Sequence, residues 1–295
     1  MSINGILNIN KPAGKTSVWV VSLVRRYSGE RHVGHVGTLD PLAVGVLPIC
    51  LGQAARMSAF ILAEHKTYLA EIELGISTET DDLEGKITQV GDPSHITLEQ
   101  IEELLPRFTG LILQRPPMYS ALKHEGKRLY HLARAGIEVE RDEREVEVFR
   151  IELLQWQPPR FTIAVECGKG TYIRSLAHDI GHRLGCGAHL KSLVRTSCGL
   201  FNIRDSITIH QLEDAFENNY WQDLLYPMDM VLENYTAAIL NTEQERTIKN
   251  GRPLSLSSLS SGQHCRAYSL DGRFLALLRF LPEGGVWQPK KVFPD

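Results

Sequence analysis

The chain has 295 residues, 43% hydrophobic and 23% charged, which are ordinary proportions for a globular protein with a real core. On length about two domains are expected, and no run reaches the roughly 18 apolar residues of a membrane-spanning helix. The net charge of −3 at pH 7 speaks against a polyanion partner only as an average, because basic and acidic residues are partitioned along the chain.

The opening stretch, MSINGILNINKPAG, has no basic start followed by an apolar run, so no secretory signal peptide is expected. Thr16 or Ser17 then caps a helix that runs through Val18, Val21 and Val24 and stops at Gly29. A second helix is predicted over Gln53 to His65. Tyr68, Ala70, Ile72 and Leu74 alternate, which predicts a strand over Lys66 to Gly75. TETDDLEG follows as an acidic loop, and Thr97 begins a helix to about Phe108. Val146 to Trp156 and Phe161 to Cys167 read as strands joined at Pro158-Pro159. Thr171 is expected to cap an amphipathic helix carrying Ile173, Leu176, Ala177, Ile180 and Leu184, and Thr208 to cap another ending near Asn218. After Tyr235 come a short helix, Thr242 to Asn250, and two strands, His264 to Leu270 and Arg273 to Phe280, with Asp271-Gly272 as their hairpin signal. Strands and helices mix without regular alternation, which predicts an α+β fold.

Basic side chains gather in three stretches: Lys11 to Arg31, Arg115 to Arg134 and Lys169 to Arg204. Asp205 to Glu245, by contrast, holds nine acids and no Lys or Arg. Such a chain can present a positive face while remaining net acidic, although solvated helix faces would give the same pattern. The five cysteines are odd in number and form no Cys-x-x-Cys pair, so neither a disulfide framework nor a zinc site is expected, and a reducing cytoplasm fits. Ala13-Gly14-Lys15-Thr16 resembles the end of a phosphate-binding loop but has Ile9 where the first glycine is required. Gly168-x-Gly170 and Gly185-x-Gly187 start dinucleotide fingerprints that are not completed.

The most informative stretch is Gly34 to Gly52, GHVGTLDPLAVGVLPICLG, where one carboxylate, Asp40, stands before Pro41 among glycines and apolar residues. The proline disfavours helix at Asp40 and gives it an extended or turn geometry. Rigid backbone beside an apolar run could hold a reactive group, but Asp-Pro is also an ordinary turn dipeptide. Asn10 to Gly14, Lys66 to Tyr68, Arg115 to Ser120 and Gly170 to Arg174 likewise mix charge with backbone-shaping residues, and each alone has a structural explanation.

Taken in order, NKPAGKTS, GHVGTLDPLAVGVLPICLG, KTYLAEIELG, RPPMYSALKHEGKRLYHLARAGIEV and GTYIRSLAHDIGHRLGCGAHLKSLVRT resemble the bacterial TruB family, the tRNA pseudouridine-55 synthases. The similarity spans Ile6 to Arg204, and GRFLALLRF and PKKVF resemble the family's C-terminal PUA-like domain. Val36 and Val44 depart from the family pattern without removing a charge. The resemblance implies a pseudouridine synthase catalytic fold with a mixed, mainly antiparallel sheet over residues 1–235. An RNA-binding insertion is expected at about 114–145 and a small β-rich PUA-like domain over 236–295.

It also implies an isomerase that needs no cofactor and no metal. Asp40 is carried over as the nucleophile, Arg174 as its partner and Tyr68 as the ring that stacks on the extruded base, with its hydroxyl where a proton leaves carbon. Leu193 is carried over as an apolar wall, His35 as the residue filling the vacated space, and Lys11 as support for the loop or a phosphate contact. Tyr172, Lys123, Lys127 and Arg128 are carried over as RNA contacts. The implied partner is the T stem-loop of tRNA, with no obligate protein partner, no membrane and a cytoplasmic monomer. The competing readings are a tRNA-binding or folding protein with secondary or lost catalysis, and a guide-RNA-dependent relative working in a multiprotein particle.

Overall fold

The computed structural model describes residues 3–256, 259 and 262–294. The chain opens with β1 (Gly5–Lys11), α1 (Ser17–Ser28), the short β2 (Val33–His35) and β3 (Val44–Leu51). It continues through α2 (Ser58–Ala63), β4 (Lys66–Leu74), β5 (Ile76–Thr78), β6 (Ile87–Val90), α3 (Leu98–Leu104) and β7 (Gly110–Gln114). Between β7 and the long β10 lie a two-residue hairpin, β8 (Lys123–His124) and β9 (Lys127–Arg128), and α4 (Leu129–Arg134). Then come β10 (Arg144–Gln157), β11 (Arg160–Cys167), α5 (Ile173–Arg183), β12 (Ala188–Cys198), β13 (Phe201–Asn202) and α6 (Ile209–Glu217). The last part holds β14 (Thr236–Ile239), α7 (Thr242–Lys249), β15 (His264–Tyr268), β16 (Phe274–Leu281) and β17 (Val286–Val292).

Among the described residues the main sheet has nine strands, in the order β1-β3-β12-β4-β11-β10-β7, with β2 on β3 and β13 on β12. Only β3 and β12 pair in parallel; the other pairs are antiparallel, which is the mixed α+β sheet expected. Helix α5 buries Ile173, Leu176, Ala177 and Ile180, the stripe read from the sequence. Each of the isoleucine and leucine side chains contributes about 1.5–3 kcal/mol on burial. Thr16 caps α1, and Gly29 ends it in the left-handed region at φ 69°. Thr97 and Thr208 cap α3 and α6 with full capping boxes.

Three details differ from the sequence expectation. The segment predicted as one helix over Gln53 to His65 is a 3₁₀ turn, Gly52–Met57, followed by α2, and neither has a side-chain cap at its start. The residue capping α5 is Tyr172, not Thr171. Thr171 donates its hydroxyl to the Gly168 carbonyl at 3.2 Å, inside the preceding turn, and is thereby unavailable to the helix. Strands β1 and β3 carry no period-2 signal because they are buried on both faces.

The four-stranded sheet β14-β15-β16-β17 packs around its own apolar group, which includes Leu240, Ile248, Leu275, Leu278 and Trp287. It meets the main body where Met57 and Leu232 pack with Leu277 and Phe293. Among the described residues no helix is long and apolar enough to cross a membrane.

Candidate active site

The loop between β2 and β3 is fixed from three sides. Ser17, at the start of α1, accepts from the Leu39 N–H at 2.9 Å and donates to the Leu39 carbonyl at 3.0 Å, so the residue before Asp40 is held through both backbone groups. The Pro41 carbonyl accepts from the Gly14 N–H at 2.8 Å. Lys11, the last residue of β1 and fully buried, donates to the carbonyls of Lys15, Pro12 and Pro41 at 2.6, 2.8 and 3.3 Å. Lys11 therefore supports the loop and is not placed to meet a phosphate. Burial brings its pKa down to about 8, against the pull of Asp40.

Asp40 meets Arg174 at 2.9 Å between Oδ2 and Nε. Arg174 is the second residue of α5 and is only 4% exposed, whereas the Asp40 side chain remains 37% exposed. Both other nitrogens of the guanidinium also have partners. Its Nη1 donates to the Thr80 carbonyl at 3.0 Å and lies 3.5 Å from Asp82 Oδ2, while Nη2 donates to the Tyr119 carbonyl at 2.8 Å. One arginine thus joins the Asp40 loop, the acidic loop after β5 and the start of the segment between β7 and β10. A lysine could not make this fork of contacts.

Asp82 is a second carboxylate in the same site, 3% exposed. It accepts from the Thr80 hydroxyl at 2.5 Å and the Glu84 N–H at 3.0 Å. Burial pushes the Asp40 carboxyl above the usual carboxylate range; Arg174 opposes this, Asp82 adds to it, and Lys11 lowers it slightly. The sequence reading treated 78–85 only as an acidic loop and missed Asp82. The available signal was the Thr80-x-Asp82 pair, a hydroxyl set to hold a carboxylate two residues on.

Tyr68 lies on β4, where it stands opposite Arg195 of β12 and Val165 of β11. Leu193 of β12 faces Ala70 two positions along, so Tyr68, Ala70, Leu193 and Arg195 share one face of the sheet. Burial pushes the Tyr68 phenol up to about 12, and Arg195 pulls against that rise. Arg195 is 1% exposed and was also missed, having been counted only as one basic residue among several. A charged residue between apolar strand positions, Leu193-Val194-Arg195, was the signal.

His35 ends β2 and is half-buried, with no hydrogen-bond partner for its Nδ1 among the described residues. Burial lowers its pKa, and the charges of Arg195 and Arg128 lower it further. Lys123, Lys127 and Arg128 are all exposed on the β8–β9 hairpin. The turn uses Glu125 and Gly126 at φ 48° and 81°, the double positive-φ geometry of a tight hairpin. Tyr172 is half-buried, and its backbone is held both ways by Gln114, which accepts from the Tyr172 N–H at 3.0 Å and donates to its carbonyl at 3.2 Å. Burial raises the Tyr172 phenol.

The structure thus shows a loop carboxylate locked to a buried arginine and a second buried carboxylate, a tyrosine and a leucine on one face of the sheet, and three basic side chains exposed on a hairpin. Residues 25–173 match the family model for the TruB family pseudouridylate synthase N-terminal domain, and residues 174–233 that for the tRNA pseudouridylate synthase B C-terminal domain. A tRNA pseudouridine synthase B of Dehalococcoides mccartyi is 46% identical over 99% of this chain and 97% of its own length. One from Clostridium tetani is 42% identical over 96% of this chain and 97% of its own length. Among solved structures, a Cbf5-Nop10-Gar1 complex contains a chain that is 27% identical with a TM-score of 0.73, covering 99% of this chain and 85% of that one. The chain belongs to the TruB family of pseudouridylate synthases.

Proposed function

We propose that this protein converts the T-loop uridine at position 55 of tRNA to pseudouridine, with Asp40 as the nucleophile. The observation that carries this reading is the 2.9 Å contact between Asp40 and Arg174. A carboxylate directed by a guanidinium, yet open on one side, is suited to attack an extruded nucleotide. The target must be flipped from its fold, at a cost of a few kcal/mol. Tyr68 then stacks on the base, a contact worth about 1–3 kcal/mol, and its hydroxyl stands near the carbon that loses a proton as the base rejoins the sugar. Leu193 walls the pocket, and His35 fills the space the nucleotide leaves. Tyr172 lies at the RNA-facing end of α5. Lys123, Lys127 and Arg128 bind phosphate, giving affinity more than sequence choice.

In this reading residues 1–235 form the catalytic unit, with 114–145 as its RNA-binding insertion, and 236–295 form an auxiliary PUA-like unit. The separate sheet and apolar group of β14 to β17 support that division. The chain acts on tRNA directly, as a cytoplasmic monomer without an obligate protein partner or guide RNA. The exposed basic hairpin favours such direct capture.

The decisive experiment is incubation of the purified chain with an unmodified tRNA transcript, followed by pseudouridine mapping. Product at the T-loop uridine is expected with wild type, and none with Asp40→Asn, while RNA binding survives. Turnover by the asparagine variant would remove Asp40 from its role; product at other uridines alone would remove the position.

A further inference from the structure

Arg195 is a large charged side chain beside the Asp40 loop to which the proposed reaction gives no part. It is 1% exposed, and among the described residues it forms no ion pair with a carboxylate. A guanidinium buried without a counter-charge is costly unless its donors are well placed. Two of its donors end on one stretch of chain. Nε donates to the Val46 carbonyl at 2.7 Å, and Nη2 donates to the Gly37 carbonyl at 2.9 Å. Those carbonyls lie on the two flanks of the segment that carries Asp40.

The glycines of that segment fit around the same side chain. Gly37 has φ +71°, and a Cβ there would stand 3.0 Å from Arg195 Nη1. Gly45, at φ +104°, pairs with Arg195 in the parallel β3–β12 register, and a Cβ there would collide with the Arg195 carbonyl. On its other edge β12 pairs with β4, with Arg195 directly opposite Tyr68. One residue therefore connects both ends of the Asp40 loop to the strand that carries the tyrosine.

We propose that Arg195 is a positioning residue for uridine isomerisation: by bridging the Gly37 and Val46 carbonyls from the position opposite Tyr68, it sets the separation between the Asp40 carboxylate and the tyrosine ring. The inference rests on the reading of Asp40 and Tyr68 given above. Its physical content is that the carboxylate and the ring must approach opposite sides of one flipped nucleotide. A displacement of about 1 Å in such an arrangement can slow a reaction roughly 100-fold.

The test separates positioning from packing by comparing Arg195→Met with Arg195→Lys in single-turnover assays with excess enzyme and tRNA transcript. Methionine keeps the apolar stem and removes the buried charge, so a packing role predicts that it melts near or above wild type and reacts normally. Positioning predicts a folded Arg195→Met whose saturated rate falls at least about tenfold, with the tRNA Kd within about threefold of wild type. Arg195→Lys, which can reach one carbonyl but not both, should fall between. The order of rates, wild type above lysine above methionine, then runs against or independently of the order of melting temperatures.

A folded Arg195→Met within twofold of the wild-type rate overturns the inference. If the methionine variant does not fold, the lysine variant decides: a loss in saturated rate supports positioning, and a loss confined to Kd overturns it. Wild-type turnover in the same assay keeps the underlying reading standing in either case. Absence of wild-type turnover would strike that reading instead.

Discussion

Two groups of cations in this protein are close in sequence character and opposite in surroundings. Lys11, Arg174 and Arg195 are buried at 0, 4 and 1% exposure, and their donors end on backbone carbonyls or on Asp40 and Asp82. Lys123, Lys127 and Arg128 stand in solvent on a two-residue hairpin. The first group is already committed and cannot neutralise RNA phosphate without breaking the site. The second is exposed to solvent, with Arg128 lying over the Tyr130 ring. Charge that builds geometry and charge left open to solvent are thus separated, which is how a net-acidic protein can still present a basic surface to a polyanion.

The largest effect should come from removing the most connected member of the buried group. Arg174→Ala leaves Asp82 buried without a cation, strips Asp40 of its partner and orphans the carbonyls of Thr80 and Tyr119. Breaking a buried pair in this way typically costs about 3–5 kcal/mol. Denaturant unfolding should show a loss of that order, together with loss of pseudouridine formation. A variant that melts like wild type would show that the buried group is not what holds these three segments together.

The exposed group should respond in the opposite way. Replacing Lys123, Lys127 and Arg128 together by alanine should leave the melting temperature and the saturated single-turnover rate near wild type while weakening tRNA binding. The slope of log Kd against log salt should shrink by about one per lost phosphate contact. A fall in saturated rate with an unchanged salt slope would place these side chains in the first group and erase the contrast.

The same contrast explains what could be read from the sequence. Several helices announced themselves: Thr97 and Thr208 cap as their spacing predicts, Thr16 is the one of the two candidates that caps α1, and the stripe of Ile173, Leu176, Ala177 and Ile180 is buried. Tyr68 sits on the strand that its alternation indicated. Asp40 and Arg174, named through family resemblance, are in contact. Strands β1 and β3 were not legible, because burial on both faces erases a period of two. The hairpin at Glu125-Gly126 was not legible either, because glutamate is not among the residues that signal such a turn. Asp82 and Arg195 escaped for a different reason. Each is polar in a site assembled across the sheet, and its meaning lies in partners far along the chain: Arg174 for the one, Gly37 and Val46 for the other.

A finer test concerns pH. In the proposed reaction Asp40 acts as the carboxylate, and its pKa is raised, first by burial and further by Asp82. Activity should therefore be present above the raised pKa and lost as pH falls through it, at a higher pH than an ordinary carboxylate would give. Asp82→Asn removes one of the raising influences, so the acid limb of the single-turnover rate should move to lower pH, whatever happens to its height. A limb that stays in place or moves upward would mean that Asp82 does not act on Asp40 through charge.

The smallest expected effect comes from Lys11 and appears in stability. Its folded pKa is about 8, below the ordinary lysine value of 10.5, because burial disfavours the charged form. Between those two values the unfolded chain keeps a proton that the folded protein has released. Stability on this account rises as pH increases through that window, since the unfolded state binds more protons. Asp40 works against the shift, so the ammonium is held by a compromise between the carboxylate it supports and the apolar surroundings that disfavour it. Lys11→Met keeps the volume and removes the titration. The variant's melting temperature should rise less with pH over this window than that of wild type, a difference that cancels titrations common to both proteins. Equal slopes would mean that Lys11 carries an ordinary lysine pKa, and that its three carbonyl contacts outweigh its burial. Burial of this ammonium would then carry no titration cost that stability could report.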